Sequence, residues 1–476
     1  MATDKTLLAN IPPVNQVLAE SPLAELAADN LRELVVFCIQ RELDLFRTQR
    51  LTQGHQGHEK VPTREAILAQ VAAAAQQRLG TLLQPSLRRV VNATGVILHT
   101  GLGRAPLALE ARENLSRIAE GYCNLEIDLE TGKRGSRTSH VEEILCFLTG
   151  AEAACVVNNN AAAVLIALNT FAFNKDAVVS RGQLVEIGGS FRMPQVMEKS
   201  GSRMIEVGTT NKTHLADYDR AIDEKTGVVC VVHTSNYRVQ GFTEEAPLAE
   251  VVKLAHAKEV PVLHDLGGGI LCDLRAYDLP HEPVVGDSVA DGVDLITFSG
   301  DKVLGGPQSG IIVGKKRYID QVKENPLMRA LRCDKLTYAI LESSLKQFLR
   351  PAEVRSTSQV FALLLEPLKA IKVRAQRLAD AINALVDCTL VAEVTESHAQ
   401  IGSGALPLEK IPSKAVSLRS TEITTETLAR QMRLHDPPVL GYIRENRLFL
   451  DLRTVLPGEE ESILAGVQCN FKNQAL

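Results

Sequence analysis

Tryptophan is absent from this chain of 476 residues, and aromatic residues make up 4% of it. Proteins that bind single-stranded nucleic acid by stacking need several aromatic rings, so the composition argues against that class. Lysine and arginine number 52, aspartate and glutamate 57, and the formal net charge is −5. This balance argues against coating of nucleic acid by bulk positive charge but leaves a local nucleic-acid site open.

Paired cysteine motifs are also missing. The nine cysteines are scattered, and no two are separated by only two residues. This spacing argues against a disulfide framework and against a zinc site. His55 and His58 lie close in sequence, but no third ligand is near, so we interpret them as part of a solvated loop and expect no metal.

Long apolar runs are the third absence. No stretch approaches the roughly 20 apolar residues of a membrane span, and no apolar core follows a basic segment at the start. Hydrophobic residues nevertheless make up 45% of the chain and charged residues 23%, which is typical of globular proteins. We expect a cytoplasmic protein with a sizeable core and no membrane partner.

The pattern of apolar and polar residues changes twice along the chain, which predicts three regions. Apolar residues with helical spacing predict helices over residues 1 to about 90, including one from Thr63, its N-cap, to Leu79. Residues 150–315 alternate between apolar runs and helical segments. From about residue 355, a long helix (360–385) and strands at 389–395, 415–419 and 447–453 predict a smaller α+β domain. The predicted boundaries are 1–88, 89–350 and 351–476.

Seven short apolar runs in the middle region predict an α/β fold with a mostly parallel central sheet. They span residues 154–157, 177–180, 204–207, 228–233, 260–264, 293–298 and 310–313. Polar residues follow several of these runs. Ligands bind beyond the carboxyl ends of the strands in such sheets, so we expect the functional site there.

The segment ITFSGDKVLGGP (296–307) contains the most informative candidate site residues. Lys302 follows a buried strand, where desolvation lowers the pKa of an amine and prepares it for a Schiff base. Ser299 could bind a phosphate. A surface lysine in a Gly-Gly-Pro turn explains this segment equally well when it is considered alone.

Two further segments favour a pyridoxal phosphate (PLP) site. Three asparagines (158–160) precede a helix whose amino terminus would suit a phosphate. Asp265 ends a strand before three glycines and could reach a pyridine nitrogen. An ordinary helix cap and a turn-initiating aspartate remain alternatives for each segment alone, but their order, with Lys302 after them, favours PLP.

Six segments have sequences that are also found in a known family. They are NATGVILHTGLGRAP (92–106), VNNNAAA (157–163), VEIGG (185–189), HTSNY (233–237), GFT (241–243) and FSGDKVLGGPQ (298–308). Together they resemble the bacterial selenocysteine synthases, which are L-seryl-tRNA(Sec) selenium transferases. The resemblance extends from the N-terminal helical region to LFLDLR (448–453).

The resemblance implies a fold-type-I PLP enzyme with the cofactor linked to Lys302. It implies conversion of L-seryl-tRNA(Sec) to L-selenocysteinyl-tRNA(Sec) with selenophosphate, by β-elimination to an aminoacrylyl intermediate and selenium addition. It also implies a homodecamer whose N-terminal helical region binds the tRNA.

The resemblance also assigns roles by matching motifs. Asp265 would pair with the pyridine nitrogen, Asn158, Asn159 and Ser299 would surround the cofactor phosphate, and His233 and Asn236 would lie near its ring. Arg104, Arg329 and Arg332 would bind selenophosphate, and Asp301 would act in catalysis beside Lys302. The sequence leaves open whether His233 or Phe191 stacks on the ring, and whether Lys302, Asp301 or the cofactor phosphate protonates the leaving hydroxyl.

Two positions depart from the family pattern. Gly101 stands where the family commonly has asparagine, which removes a possible hydrogen bond beside Arg104, and Gln183 replaces a common acid. Arg329 and Arg332 are three residues apart, so a helix would place both on one face, where they could bind one phosphate. Arg419 and Arg453 are candidates for binding a free α-carboxylate, which an ester substrate lacks.

Two other functions remain open at this point. One is a PLP-dependent lyase or aldolase for a small phosphorylated substrate, against which the helical N-terminal region argues. The other is a non-catalytic tRNA-binding protein, against which the intact set of Lys302, Asp265 and Ser299 argues. Residues 1–90 contain ten basic and nine acidic residues, so their charge alone gives weak evidence for tRNA binding.

Overall fold

The structure, a computed structural model, describes residues 9–52, 62–187, 191–385, 389–404 and 409–472. It divides the chain into two units, Met1–Arg89 and Val90–Leu476. His55 and His58 lie outside the described residues. None of the described helices is both long and apolar enough to cross a membrane.

The first unit is helical, as the sequence predicts. Thr63 is the N-cap of the last helix, and its side chain accepts a hydrogen bond from the Ala66 N–H. Apolar side chains from the two long helices, among them Val35, Ile39 and Val71, form a core of their own. The helices are Val14–Leu18, Leu23–Leu26, a π-helical turn Ala27–Leu31, Arg32–Thr52 and Arg64–Leu83.

A seven-stranded sheet forms the centre of the second unit. Its strands are β1 (Ala153–Val157), β2 (Asp176–Ser180), β3 (Arg203–Val207), β4 (Thr226–Val232), β5 (Val262–Gly267), β6 (Leu295–Ser299) and β7 (Gly310–Gly314). Their order is β1-β7-β6-β5-β4-β2-β3. All seven predicted strands are confirmed. The prediction of a mostly parallel sheet is confirmed, with β7 as the exception, because it pairs antiparallel with β6 and β1.

The strands are apolar throughout because both faces of the sheet are covered. Ile296 and Phe298 of β6 point into one hydrophobic cluster, whereas Leu295 points into the other. Successive side chains of a strand face opposite sides, so a strand buried on both sides reads as a continuous apolar run. This arrangement confirms the α/β fold class.

Helices and short strands surround this sheet. The helices outside the C-terminal part are Leu109–Ala119, Ser139–Thr149, Asn160–Ala172, Met193–Lys199, Leu215–Ala221, Leu248–Ala257, Val285–Ala290, Lys316–Glu324, Leu327–Leu331 and Lys335–Lys346. Single 3-10 turns lie at Thr100–Leu102, Arg181–Gln183, Leu274–Tyr277, Gln347–Leu349 and Pro351–Glu353. Short strand pairs join Val91–Asn92 to Val439–Leu440, Glu186–Ile187 to Phe191–Arg192, and Lys212–Thr213 to Glu244–Glu245.

The C-terminal part packs helices on a four-stranded antiparallel sheet. Its strands are β8 (Leu390–Ala399), β9 (Ile411–Ser420), β10 (Tyr442–Arg444) and β11 (Arg447–Asp451), in the order β8-β9-β11-β10. Its helices are Val354–Thr357, Gln359–Leu364, Leu368–Asn383, Thr425–Leu434 and Glu460–Lys472. The three predicted strands are confirmed.

The single helix predicted over 360–385 is two helices. One ends at Leu364 and the next begins at Leu368, with Pro367 as its N-cap. Proline lacks the N–H that a continuous helix needs and disfavours helical backbone in the residue before it, so the chain turns here.

Candidate active site

A cavity of about 260 Å³ opens at the carboxyl ends of β4, β5 and β6. These three strands are neighbours and parallel, so the residues that follow them meet at one edge of the sheet. The lining residues are Thr100, Arg104, Asn159, Asn160, Ala161, Val232, His233, Ser235, Asp265, Gly267, Ser299, Asp301, Lys302, Gln308 and Ser403.

Lys302 lies in this cavity, in the turn that follows β6, and is 6% exposed. Burial lowers the pKa of its ammonium group, because the charged form loses its hydration, and the charge of Arg104 acts in the same direction. The charges of Asp265 and Asp301 oppose this shift without cancelling it. The lysine is therefore more readily neutral than a surface lysine, as a Schiff-base nucleophile must be.

Asp265 lies on β5 and is held by two side chains. Asn160 Nδ2 donates a hydrogen bond to its Oδ1 at 2.7 Å, and Thr297 Oγ1 donates to the same oxygen at 3.0 Å. Burial raises the pKa of this carboxyl group, while both hydrogen bonds and the charge of Lys302 lower it. The two bonds orient the carboxylate in the cavity wall.

The first turn of helix Asn160–Ala172 forms another side of the cavity. Asn159 is the N-cap, and its Oδ1 accepts a hydrogen bond from the Ala162 N–H at 2.9 Å. The unpaired N–H groups and the positive end of the helix dipole favour an anion at such a terminus. This side of the cavity therefore has the properties that suit a phosphate.

An ion pair connects the segment before the sheet to the turn that carries Lys302. Arg104 Nη1 lies 2.5 Å from Asp301 Oδ2, and Asp301 is 7% exposed. Arg104 Nε is buried and has no hydrogen-bond partner among the described residues. The cavity thus contains a cation with unused donor capacity beside the lysine.

The structure brings together most of the residues that the sequence singled out. Asn159, His233, Asp265, Ser299, Asp301, Lys302 and Arg104 all line the cavity. Asn158 does not; its side chain is exposed, and its backbone N–H donates to Leu331 O. Asn236 also lies outside the lining; its Nδ2 donates to Glu186 O, and its Oδ1 is buried without a partner among the described residues.

The two distal arginines lie away from the cavity lining. The expectation that one helix carries both was wrong, because helix Leu327–Leu331 ends before Arg332, which has extended backbone. Arg329 is exposed. Arg332 pairs with Glu126 at 3.7 Å, and its backbone forms an antiparallel bridge to Val157 at the end of β1.

Two other arginines do not fit a role in binding a free α-carboxylate. Arg453 is buried and donates to the carbonyl oxygens of Leu363, Leu364, Glu366 and Pro412, which makes it a structural residue. Arg419 is exposed on β9.

Sequence reasoning missed several residues of the site. Asn160 was interpreted only as part of a helix cap, although it holds Asp265. Thr297 precedes Ser299 on β6, and the alternation of side chains along that strand could have identified it. Ser235 and Gln308 lie within two of the quoted motifs but received no role, and Ser403 lies in no motif that would have identified it. Phe191, the other candidate for ring stacking, has a side chain outside the described residues.

The departures from the family pattern have local consequences. Gln183 is buried and its Oε1 accepts a hydrogen bond from the Val232 N–H at 3.0 Å, at the end of β4. A Cβ at Gly101 would lie 3.6 Å from His99 Nδ1, which is buried without a partner among the described residues.

The residues present fit PLP. Gly267 has a φ of +65°, and a Cβ there would lie 3.7 Å from both Lys302 Nζ and Ser235 Oγ, so the glycine keeps the space beside the lysine open. A buried amine, a carboxylate and a helix amino terminus then surround one space. These groups match the aldehyde, the pyridine nitrogen and the phosphate of PLP, respectively.

Solved structures share this fold. D-Glucosaminate-6-phosphate ammonia-lyase superimposes with a TM-score of 0.54 at 21% sequence identity, covering 84% of this chain and 98% of its own. At this identity the likeness concerns the fold alone.

Curated proteins are similar over almost the whole chain. The L-seryl-tRNA(Sec) selenium transferase of Carboxydothermus hydrogenoformans is 47% identical over 97% of this chain and 96% of its own. Proteins of the same name from Clostridium botulinum (strain 657) and Alkaliphilus oremlandii are 45% and 42% identical, covering 95% and 96% of this chain and 96% and 97% of their own. The family model "SelA: L-seryl-tRNA selenium transferase" matches residues 90–456, and the chain belongs to this family.

Proposed function

We propose that this protein is a PLP-dependent L-seryl-tRNA(Sec) selenium transferase that uses selenophosphate to make L-selenocysteinyl-tRNA(Sec). The observation that carries the proposal is the buried Lys302, with its lowered pKa, in one cavity with Asp265 and the capped helix terminus. The proposed substrate comes from the names of the relatives, which are similar over almost the whole chain.

The cofactor would be held by the groups that line the cavity. Lys302 Nζ would bond its aldehyde carbon, Asp265 would pair with its pyridine nitrogen, and His233 would lie beside its ring. Asn159 and Ser299 would bind its phosphate. We also propose Asn158 and Asn236 as cofactor-binding residues, although neither lines the cavity. PLP supplies an electron sink for the charge that remains when a proton leaves the amine-bearing carbon.

Proton transfer would be performed by two side chains of the turn after β6. Lys302 Nζ would remove the α-proton of the seryl group, because its lowered pKa leaves more of it neutral. Asp301 lies beside it in the cavity and is the second group that can carry a proton. The seryl hydroxyl would take up a proton and leave as water, and selenium would be added to the β-carbon while Lys302 returns a proton to the α-carbon. Phosphate would be released when water cleaves the selenium–phosphorus bond.

The donor phosphate would be bound by arginines. Arg104 supports this assignment, because it lines the cavity and has a buried Nε without a described partner. Arg332 and Arg329 would complete the clamp from the segment whose backbone pairs with the end of β1. Guanidinium groups suit this task because they bind two phosphate oxygens at once.

The remaining parts of the proposal concern the whole assembly. Residues 1–88 would bind the tRNA, 89–350 would hold the cofactor, and 351–476 would form the C-terminal domain. A folded tRNA is recognised by shape and backbone contacts, which require only local positive charge, and a small-molecule enzyme has no need of a helical extension. We also propose a cytoplasmic homodecamer.

Turnover tests the proposal. Purified PLP-loaded protein is given labelled seryl-tRNA(Sec) with and without selenophosphate, and the amino acid is identified after deacylation. We expect selenocysteine only with selenophosphate, and none from Lys302→Ala. Formation of selenocysteine by Lys302→Ala at the wild-type rate would contradict the assignment of the lysine.

A further inference from the structure

A buried carboxylate contacts the imidazole that lines the cavity. Glu282 lies in the segment between the 3-10 turn Leu274–Tyr277 and helix Val285–Ala290, and its side chain is 7% exposed. Its Oε2 lies 3.3 Å from His233 Nε2. A carboxylate with so little contact with water needs a polar partner, and this imidazole is the one within hydrogen-bond distance among the described residues.

The backbone of His233 is already fixed. Its N–H donates to Asp265 O at 2.9 Å, and its carbonyl oxygen accepts a hydrogen bond from the Ser235 N–H at 2.8 Å. These bonds tie the residue to the end of β5 but leave the ring free to rotate about its side-chain torsions. Among the described residues, Glu282 provides the hydrogen-bond partner of the ring.

The neighbouring histidine, His264, has a different hydrogen-bond partner. His264 Nδ1 lies 3.0 Å from Ser288 Oγ, and burial, with a smaller effect of His233, lowers the pKa of His264 to about 3. His264 is therefore neutral at physiological pH. Among the described residues, the imidazole that Glu282 contacts is that of His233, which lines the cavity.

We propose that Glu282 is a positioning residue that holds the His233 ring against the cofactor, and this inference rests on the proposed PLP site. A carboxylate that hydrogen-bonds one ring nitrogen of a histidine fixes both its tautomer and its orientation. An oriented ring keeps contact with the cofactor without a further entropic cost when the cofactor binds.

A double-mutant cycle tests the inference by cofactor affinity. The cofactor is removed, and PLP is titrated into wild-type protein, Glu282→Gln, His233→Gln and the double variant, following the absorption band of the bound cofactor. We expect Glu282→Gln to weaken PLP binding about fivefold when His233 is present and less than about twofold when it is absent. Glu250→Gln, an exposed change on helix Leu248–Ala257, is the matched control.

Two results would overturn the inference. An equal loss of affinity in both backgrounds would show that Glu282 acts through the fold and not through His233, and no loss in either would show that it does not act. Should Glu282→Gln not fold, Glu282→Asp enters the same cycle, because its shorter side chain withdraws the carboxylate while keeping the charge. Failure of the wild-type protein to bind PLP would instead contradict the proposed function.

Discussion

At the scale of the residue, the chemistry of the site depends on ionisable side chains that are buried away from water. Lys302 and Asp265 face the same cavity, and burial lowers the pKa of the lysine and raises the pKa of the carboxyl group. The sequence predicted both residues because each follows an apolar strand. It could not predict Glu282, which lies in a loop without a motif and approaches His233 only in the folded chain.

Arg332→Lys tests the donor site. We expect weaker use of selenophosphate, by about tenfold in KM, because lysine cannot form the bidentate contact that a guanidinium group forms. The absorption band of the bound cofactor should stay unchanged. Arg134→Lys is the control, because Arg134 pairs with the same Glu126 carboxylate but is 74% exposed. An unchanged KM in Arg332→Lys would remove Arg332 from the donor site.

His264 gives a prediction about acid stability. The unfolded chain binds a proton at this histidine near pH 6.5, whereas the folded protein binds it near pH 3. The unfolded state therefore holds more protons between these values, and stability is lost as the pH falls through this window. His264→Asn should reduce the slope of the unfolding free energy against pH by up to about 1.4 kcal/mol per unit.

Urea denaturation at pH 7, 6 and 5 measures this slope. His281→Asn serves as the control, because His281 is exposed. Equal slopes for wild type and His264→Asn would contradict the prediction.

At the scale of the element, the sequence predicted which segments form strands but not all of their directions. The apolar run at 310–314 is buried like its neighbours, and burial alone does not distinguish parallel from antiparallel pairing. The short connection from β6 to β7 could have revealed the antiparallel pair, since a parallel connection needs a dozen residues or more. Similarly, the Glu366-Pro367 pair could have revealed the break between two helices.

Gly310→Ala tests how β7 supports the cofactor site. A Cβ at this position would lie 2.1 Å from Asn159 O, which belongs to the residue that caps the helix at the cavity. We expect a loss of about 2–4 kcal/mol in unfolding free energy and weaker PLP binding, because backbone atoms must move.

Gly121→Ala is the matched control for this variant, because a Cβ there would meet nothing within 4 Å. Equal unfolding free energies for wild type and Gly310→Ala would show that the helix terminus adjusts without cost.

At the scale of the whole molecule, the two units have separate hydrophobic cores. The apolar residues of the N-terminal helices form one cluster, and the clusters around the sheets lie within Val90–Leu476. Each unit therefore buries apolar surface without the other. The periodicity of the sequence predicted the helical unit, whereas the proposal that this unit binds tRNA rests on the resemblance.

Removal of residues 1–89 separates the two proposed activities. We expect the shortened protein to keep the absorption band of bound PLP and to bind seryl-tRNA(Sec) at least about tenfold more weakly, because backbone contacts to the tRNA are lost. Filter binding measures the tRNA affinity, and PLP titration provides the control. Unchanged tRNA affinity would contradict the assignment of residues 1–88.

The central claim is that this cavity acts on serine attached to one tRNA, and a comparison of substrates tests it most directly. The PLP-loaded protein is incubated with selenophosphate and, in parallel, labelled seryl-tRNA(Sec), seryl-tRNA(Ser) or free L-serine. We predict a selenocysteine product from seryl-tRNA(Sec) alone. A product from free serine, or no product from seryl-tRNA(Sec), would contradict the claim.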